Sequence, residues 1–412
     1  RHRWAMNVTI ARGNAACCRI FFIAIGRGLQ TGLLPAESDP MTPQARLSAA
    51  IEVLDRVLAG SAAEQALTNW GRASRFAGSG DRHAVRDLVY DALRCKASFA
   101  ALGGSETGRG LILGGARAAG QDIEALFCGQ GHAPGVVLAS EVATEPEGAA
   151  ALDCPSWLAQ PLRDSLGADF TAVMQAMRKR APVFLRVNLA KTTRSEAMAV
   201  LAADGVIAQV SDLASACLIV LENPRKINAS AAYLEGLVEL QDGSSQAVID
   251  TLDLHDGQRV LDFCCGGGGK ALAMAAKAQI SLEAHDRDPR RMRDLPARAE
   301  RAGARLKIVE SVSKTKPYDL ILTDVPCSGS GSWRRDPQGK WALTETRLTE
   351  VLAIQAQILD QTATMLAPDG VLAYATCSML AAENEAQIAA FLQRHSCWTC
   401  KMQRRFSPLS GA

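Results

Sequence analysis

The sequence predicts a mixed α/β protein whose C-terminal half is a doubly wound parallel sheet, preceded by an all-α bundle and a small α+β segment. Three observations predict it. From Val238 onward, short apolar runs alternate with helical stretches, the strands being "RVLDFC", "ISLEAHD", "LKIVES", "YDLILTDV" and "VLAYATC". A glycine-rich turn, "LDFCCGGGGK" at 261–270, joins the first of these strands to a helix. The region from Met41 to about Gly135 carries helical periodicity and no strand pattern.

In chain order, residues 1–40 begin without a methionine, and their apolar stretch "CCRIFFIAIG" is broken by Arg19. It falls short of the roughly 20 apolar residues of a membrane span and lacks a signal peptide's cleavage site. A poorly structured extension is expected there, with Met41 opening the folded protein. Residues 41–135 form the bundle, with Leu47, Ile51, Leu54 and Leu58 at three- and four-residue spacing, closed by Gly60. Val85, Leu88, Val89 and Leu93 repeat the pattern, and Arg82, Arg86 and Arg94 read as the solvated face of that helix. A Pro/Gly/Glu-rich stretch near 134–148 is a linker. Residues 150–240 combine helix, the strand "VFLRVNLA" and a second helix, "TRSEAMAVLAADG". Their basic residues (178–180, Arg186, Lys191, Arg194) suit phosphate contact or an ordinary solvated surface equally. Residues 241–412 form the sheet domain, including a long amphipathic helix between Thr344 and Leu366.

Hydrophobic residues at 48% and charged residues at 21% exclude wholesale disorder, and a net charge of +2 leaves partners to be argued from local clusters. Twelve cysteines in 412 residues do not make a disulfide framework. Cys95, Cys128, Cys154 and Cys217 read as small buried hydrophobes. "CWTC" at 397–400 lacks the second pair a zinc site needs, so no metal is expected. A reducing, cytosolic compartment follows, with no membrane association and a monomeric chain.

The glycine-rich turn lets a ligand approach the backbone where a Cβ would collide. It has neither GxGxxG spacing nor a GK[ST] ending, which weakens phosphate-cradling readings. Asp286 ends the next strand, twenty positions after Gly266, where an acidic residue can take a ribose diol. Together these point to an adenosine-containing cofactor, either NAD or S-adenosylmethionine; a plain loop aspartate is the blander reading of Asp286.

Cys327 in "DVPCS" and Cys377 in "YATCSM" lie just past strand ends, where open α/β sheets bind ligands and where a purely structural cysteine is less expected. Asp324 shares the first of those ends. A thiol, an acid and an adenosine cofactor suit methylation of cytosine at carbon 5. Thiolate addition at carbon 6 makes carbon 5 an enamine nucleophile, and an acid near ring nitrogen 3 supports the addition. A second cysteine can assist release.

With these residues in view, "LDFCCGGGGK", "DVPCSGSGSWRRDPQGKW" and "YATCSMLAAENE" resemble motifs I, IV and VI of the RNA cytosine-C5 methyltransferases, in particular the bacterial Sun/RsmB-type 16S rRNA group. "FLRVN" and "QDGSSQ" match smaller signatures of that family. "SGDRHAVRDLVYDALR" makes the helical region similar to the family's NusB-like RNA-binding domain. The resemblance covers roughly 41–412. It implies a Rossmann-like S-adenosylmethionine-dependent methyltransferase sheet and 16S rRNA as partner. It further implies Cys377 as nucleophile, Cys327 as the release group and Asp324 against the base. Cys264, Cys265, Gly266, Gly267, Gly268, Gly269, Lys270, Asp286 and Asp324 would hold S-adenosyl-L-methionine, with Lys270 also near the reacting atoms.

The sequence departs from the family in three places. The family's CAAPGGK loop has Cys265, Gly266 and Gly267 in place of Ala, Ala and Pro, so a looser loop is expected. The usual third-strand aspartate is replaced by "IVESVSK", where neither Glu310 nor Ser311 is assigned. The chain stops at "SPLSGA", so a truncated last strand and an uncovered sheet edge are expected. For RNA, the loop with Trp333, Arg334, Arg335, Lys340 and Trp341 suits base stacking and phosphate contact, whereas the basic run 287–307 reads equally as a solvated face. A non-catalytic RNA-binding or ribosome-assembly factor is the alternative, with an NAD-linked oxidoreductase behind it.

Overall fold

Thr42 caps the first helix, Pro43–Leu58, by accepting the Ala45 N–H, and Pro43 sits in the first turn where no N–H is needed. The helix turns Leu47, Val53 and Leu54 onto Val85, Val89 and Leu93 of helix Ser79–Arg94 and onto Leu111 and Leu113 of helix Gly108–Ala118. The periodic apolar positions thus close one helical core. The computed structural model describes residues 40–312 and 316–410, which belong to one compact unit. The expected N-terminal extension lies outside the described residues, save Pro40.

A four-stranded antiparallel sheet follows, comprising β1 (Val183–Val187), β2 (Ile207–Val210), β3 (Cys217–Glu222) and β4 (Val238–Leu240) in the order β2-β3-β1-β4. Only β1 is legible in the sequence. β2 is a short edge strand whose Ile207 and Val210 are exposed, so it shows no alternation, and β4 has three residues.

The second sheet is parallel throughout: β5 (Arg259–Asp262), β6 (Ser281–Ala284), β7 (Lys307–Ile308), β8 (Tyr318–Asp324) and β9 (Leu366–Ala375), ordered β7-β6-β5-β8-β9. These are the five strands predicted. Val260, Leu320 and Leu322 join one core layer with helices Gly269–Lys277 and Leu295–Ala302. Leu261 and Ile321 join the opposite layer with Ile358 of helix Glu345–Ala363. Burial on both faces explains why these strands read as continuous apolar runs. Strand order reverses between β5 and β8, which places a ligand crevice at their carboxyl ends.

Several sequence expectations are corrected here. Arg94 is buried, its Nε donating to the Arg334 carbonyl at 2.8 Å and its Nη1 pairing with Asp91 at 2.6 Å, while Arg82 and Arg86 stay exposed. Arg186 is buried too and makes no phosphate-facing surface; its Nη1 donates to the Gly269 carbonyl at 2.6 Å. The loop expected to stack RNA bases is a seam between domains. Trp333, 1% exposed, packs with Leu158, Met174 and Met379. Trp341 donates to the Leu93 carbonyl at 2.7 Å, and the buried Lys340 donates to the Arg94 carbonyl at 2.8 Å. Arg334 and Arg335 donate to the carbonyls of Arg180 and Pro182. Cys95, Cys154 and Cys217 are buried as expected, and Cys128 is half-buried.

Burial holds the Lys340 ammonium down to about 8, from an ordinary 10.5. Between those two pH values the unfolded chain binds more protons than the folded one, so stability from this group rises with pH across that window. Replacing Lys340 by Met is expected to abolish that rise, measured as the difference in urea midpoints between variant and wild type on going from pH 8 to pH 10.5.

Candidate active site

β8 and β9 pair in parallel with Asp324 opposite Ala375, and the Val325 N–H donates to the Ala375 carbonyl at 3.0 Å. The chain then turns on both sides, and the register brings the two cysteines to the same height. The Cys327 and Cys377 sulfurs lie 3.3 Å apart. The Gly331 N–H donates to the Cys377 carbonyl at 2.7 Å, and a Cβ on Gly331 would stand 2.5 Å from that oxygen, so a side chain there would part the loops. Cys377 is exposed and Cys327 half-buried.

At 3.3 Å the two sulfurs share one proton-mediated contact. With Cys327 as the donor, this contact lowers the Cys377 thiol from its usual range; the Lys270 charge helps, while desolvation and Asp324 oppose. The same bond, with burial, pushes Cys327 up. The surroundings therefore favour Cys377 over Cys327 as the sulfur that gives up its proton. Beside them Lys270 Nζ donates to Asp324 Oδ2 at 2.6 Å, keeping a cation and a carboxylate at the mouth of the crevice.

Gly266 adopts φ +53°, a left-handed conformation that favours glycine. Its N–H donates to Asp286 Oδ2 at 2.8 Å, and Asp286 also accepts from Asp288 N at 3.0 Å and Arg291 Nη1 at 3.2 Å. The looseness expected of the extra glycines is countered by such ties: Arg298 donates to the Gly267 carbonyl, Gly268 N–H to the Cys265 carbonyl at 2.9 Å, and Arg186 to the Gly269 carbonyl. Gly266 to Lys270, Asp286 and Asp324 meet at the carboxyl ends of β5, β6 and β8. Cys265 instead points into the core beneath, its thiol pushed up by burial, and burial pushes Cys264 up to about 12. Neither is poised as a thiolate.

Asp262 escaped the sequence reading. It ends β5 directly under the glycine loop, is wholly buried, and neither carboxyl oxygen has a hydrogen bond of good geometry, although the Cys265 thiol lies close enough to influence it. Burial, with the Asp324 charge, pushes it up to about 7. An orphaned buried carboxyl is satisfied by a cationic or donor group entering the crevice. The signal available was an acid at the last position of a strand, immediately before a glycine-rich turn.

A parallel five-stranded sheet with this loop defines a Rossmann-like fold of the kind found in S-adenosylmethionine-dependent methyltransferases. Residues 249–410 match the family described as 16S rRNA methyltransferase RsmB/F, and residues 154–228 match the RsmF/B-like ferredoxin-like domain. Both matched segments are thus similar to the RsmB/F family of methyltransferases. Ribosomal RNA small subunit methyltransferase B of Enterobacter sp. (strain 638) is 34% identical over 252 residues, 59% of this chain and 58% of that protein. The protein of the same name from Serratia proteamaculans (strain 568) is 32% identical with the same coverage. The chain thus spans 58% of the length of these curated relatives. The crystal structure of PH0851 superposes with a TM-score of 0.69 at 23% identity, covering 86% of this chain and 90% of that one, a likeness of fold. A methyltransferase homolog protein from Pyrococcus horikoshii superposes at 0.53 with 26% identity over 60% of this chain and 80% of its own.

Two outcomes follow from this geometry. Cys327→Ala removes the donor to Cys377, and Lys270→Met removes the nearby cation; each is expected to move the midpoint of Cys377 alkylation by iodoacetamide to higher pH, read by peptide mass spectrometry. For Asp262, a folded pKa near 7 means the folded state retains a proton that the unfolded chain loses near 3.8, so stability falls as pH rises through that interval. Asp262→Asn is expected to stabilise the ligand-free protein above pH 7 by on the order of 3 kcal/mol and to make little difference below pH 4, measured by denaturant unfolding.

Proposed function

We propose that the protein transfers a methyl group from S-adenosyl-L-methionine to carbon 5 of a cytosine in 16S rRNA through a cysteine adduct at carbon 6. The observation that carries the reading is the facing thiol pair, 3.3 Å apart, beside the Lys270–Asp324 pair. The residues present fit the cofactor. Asp262 has the unpartnered carboxyl that an amino group would satisfy, Asp286 has the position for a ribose diol, and the Gly266–Gly269 backbone admits a close approach. When bound, S-adenosylmethionine supplies an electrophilic methyl group.

This chain's residues do the rest. The Cys377 thiolate forms the bond to carbon 6, and the ring's displaced electron pair makes carbon 5 nucleophilic. The Lys270 ammonium, held by Asp324, supports the negative charge developing at the pyrimidine edge, and the Asp324 carboxylate accepts from the exocyclic amino group of the base. Once carbon 5 carries the methyl group, its proton passes to solvent water, the ring double bond is restored and Cys377 is expelled as a thiolate. Cys327 then stabilises the leaving sulfur by the same S–H donation that stabilised the attacking one. A thiolate adds to carbon 6 from the face of the ring, so the target base must be unstacked, which suits single-stranded or flipped RNA. Arg287, Arg290 and Arg293, exposed beside the cofactor loop, suit phosphate contact. In this reading the helical region is the NusB-like RNA-binding domain, residues 150–240 the RNA-binding part of the catalytic module, and the protein acts as a monomer in the cytoplasm. Among the described residues no helix is long and apolar enough to cross a membrane.

Incubation with tritiated S-adenosylmethionine and undermethylated 30S subunits or free 16S RNA should label RNA. Unlabelled RNA from a folded full-length chain would favour a non-catalytic assembly factor instead. Cys377→Ala should lose activity without trapping RNA, whereas Cys327→Ala should accumulate a covalent protein–RNA adduct on denaturing gels. The reverse pattern would exchange the two roles.

A further inference from the structure

Glu383 takes no part in the chemistry above, yet it touches both loops that carry it. It closes the short turn Ala381–Glu383 and is wholly buried. Its Oε1 accepts the Ser328 N–H at 2.7 Å and the Gln355 amide at 3.0 Å, and its Oε2 accepts the Ser378 hydroxyl. Ser328 follows Cys327 and Ser378 follows Cys377 in the chain. Gln355 also donates to the Pro326 carbonyl at 3.0 Å, on the other side of Cys327. One side chain therefore gathers neighbours of both sulfurs. An acceptor-only group with two oxygens suits a site where every partner is a donor.

The β8–β9 ladder ends at Asp324 and Ala375, so it sets the height of the two loops. The Gly331 N–H to Cys377 carbonyl bond, the Met379 N–H donated to Ser330 Oγ at 2.7 Å and the contacts of the Ser378 hydroxyl with Ser328 and Ser330 at 3.2 Å also tie the PCS loop to the TCS loop. Glu383 orients that shared Ser378 hydroxyl and takes the Ser328 N–H as well, so its three bonds fix the network on the side of the two sulfurs. We propose that Glu383 is a positioning residue whose buried carboxylate joins the Cys327 loop to the Cys377 loop and holds the two sulfurs at hydrogen-bond distance. The role rests on the reading of this pair as the reacting thiols, so its test includes a measurement independent of methyl transfer.

Diamide, a two-electron thiol oxidant, takes up the hydrogen of both thiols and leaves a disulfide, at a rate governed by how often the sulfurs meet. Formation of the 327–377 link, followed by peptide mass spectrometry, needs neither RNA nor cofactor. Glu383→Gln keeps the size but turns one acceptor into a donor facing donors. It is expected to slow the link by about tenfold or more and to lower kcat similarly, with KM for S-adenosylmethionine unchanged. Glu383→Asp, which keeps the carboxylate, should recover part of both losses. Should Glu383→Gln not fold, Ser378→Ala removes one donor alone and is expected to slow linking measurably. A wild-type linking rate in Glu383→Gln, or in Ser378→Ala where that variant decides, overturns the proposal. Slowed linking in a protein whose wild type transfers no methyl group would uphold Glu383 as the tie and sink the methyltransferase reading alone.

Discussion

The parallel register of β8 and β9 is the constraint on which the site depends. Asp324 opposite Ala375 fixes where each strand ends, and the turns beyond deliver Cys327 and Cys377 to within 3.3 Å of one another. A slip of one residue would turn one set of side chains to the other face and separate the sulfurs. The same register points Asp324 toward Lys270, which enters from the helix after β5. Two thiols, a carboxylate and a cation thus reach one crevice from three elements of the parallel sheet domain.

The surroundings explain why so many arginines and tryptophans face inward. Arg186 ties the small antiparallel sheet to the glycine-rich loop, and burial lowers its guanidinium to about 10. Asn188 donates to the Ala302 carbonyl at 2.8 Å, and Lys191 to the Arg301 carbonyl at 2.7 Å, stitching the same sheet to the cofactor side of the Rossmann-like layer. The loop from Trp333 to Trp341 fastens the helical bundle to the opposite side. The charged groups that give the chain its basic look at these points satisfy backbone carbonyls, whereas the exposed arginines near 287–293 pair with carboxylates, Arg290 with Asp288, Arg291 with Asp286 and Arg293 with Asp294.

Much of this was legible in the residues alone. Apolar runs of five to seven residues alternating with amphipathic helices determine a doubly wound sheet, because strands covered on both faces admit little else. The glycine run and the acid ending the following strand mark a candidate cofactor loop, because a Cβ there would collide with a ligand. Two cysteines just past strand ends mark the candidate site, because sheet carboxyl ends are where such folds expose side chains to ligands.

Other features were decided only in three dimensions, since each depends on what lies beside a residue from a distant part of the chain. Whether Trp333 stacks on a base or fills a core depends on helices more than 150 residues earlier, and the core takes it. Asp262 looks like an ordinary strand residue until burial strips it of partners. Which thiol gives up its proton more readily is invisible in "PCS" and "TCS", because it follows from the other sulfur, the lysine and the surrounding protein. The sequence determined the sheet, the loop and the pair of cysteines; the fold decided their electrostatics, because burial and long-range pairing set the free energy of a charge.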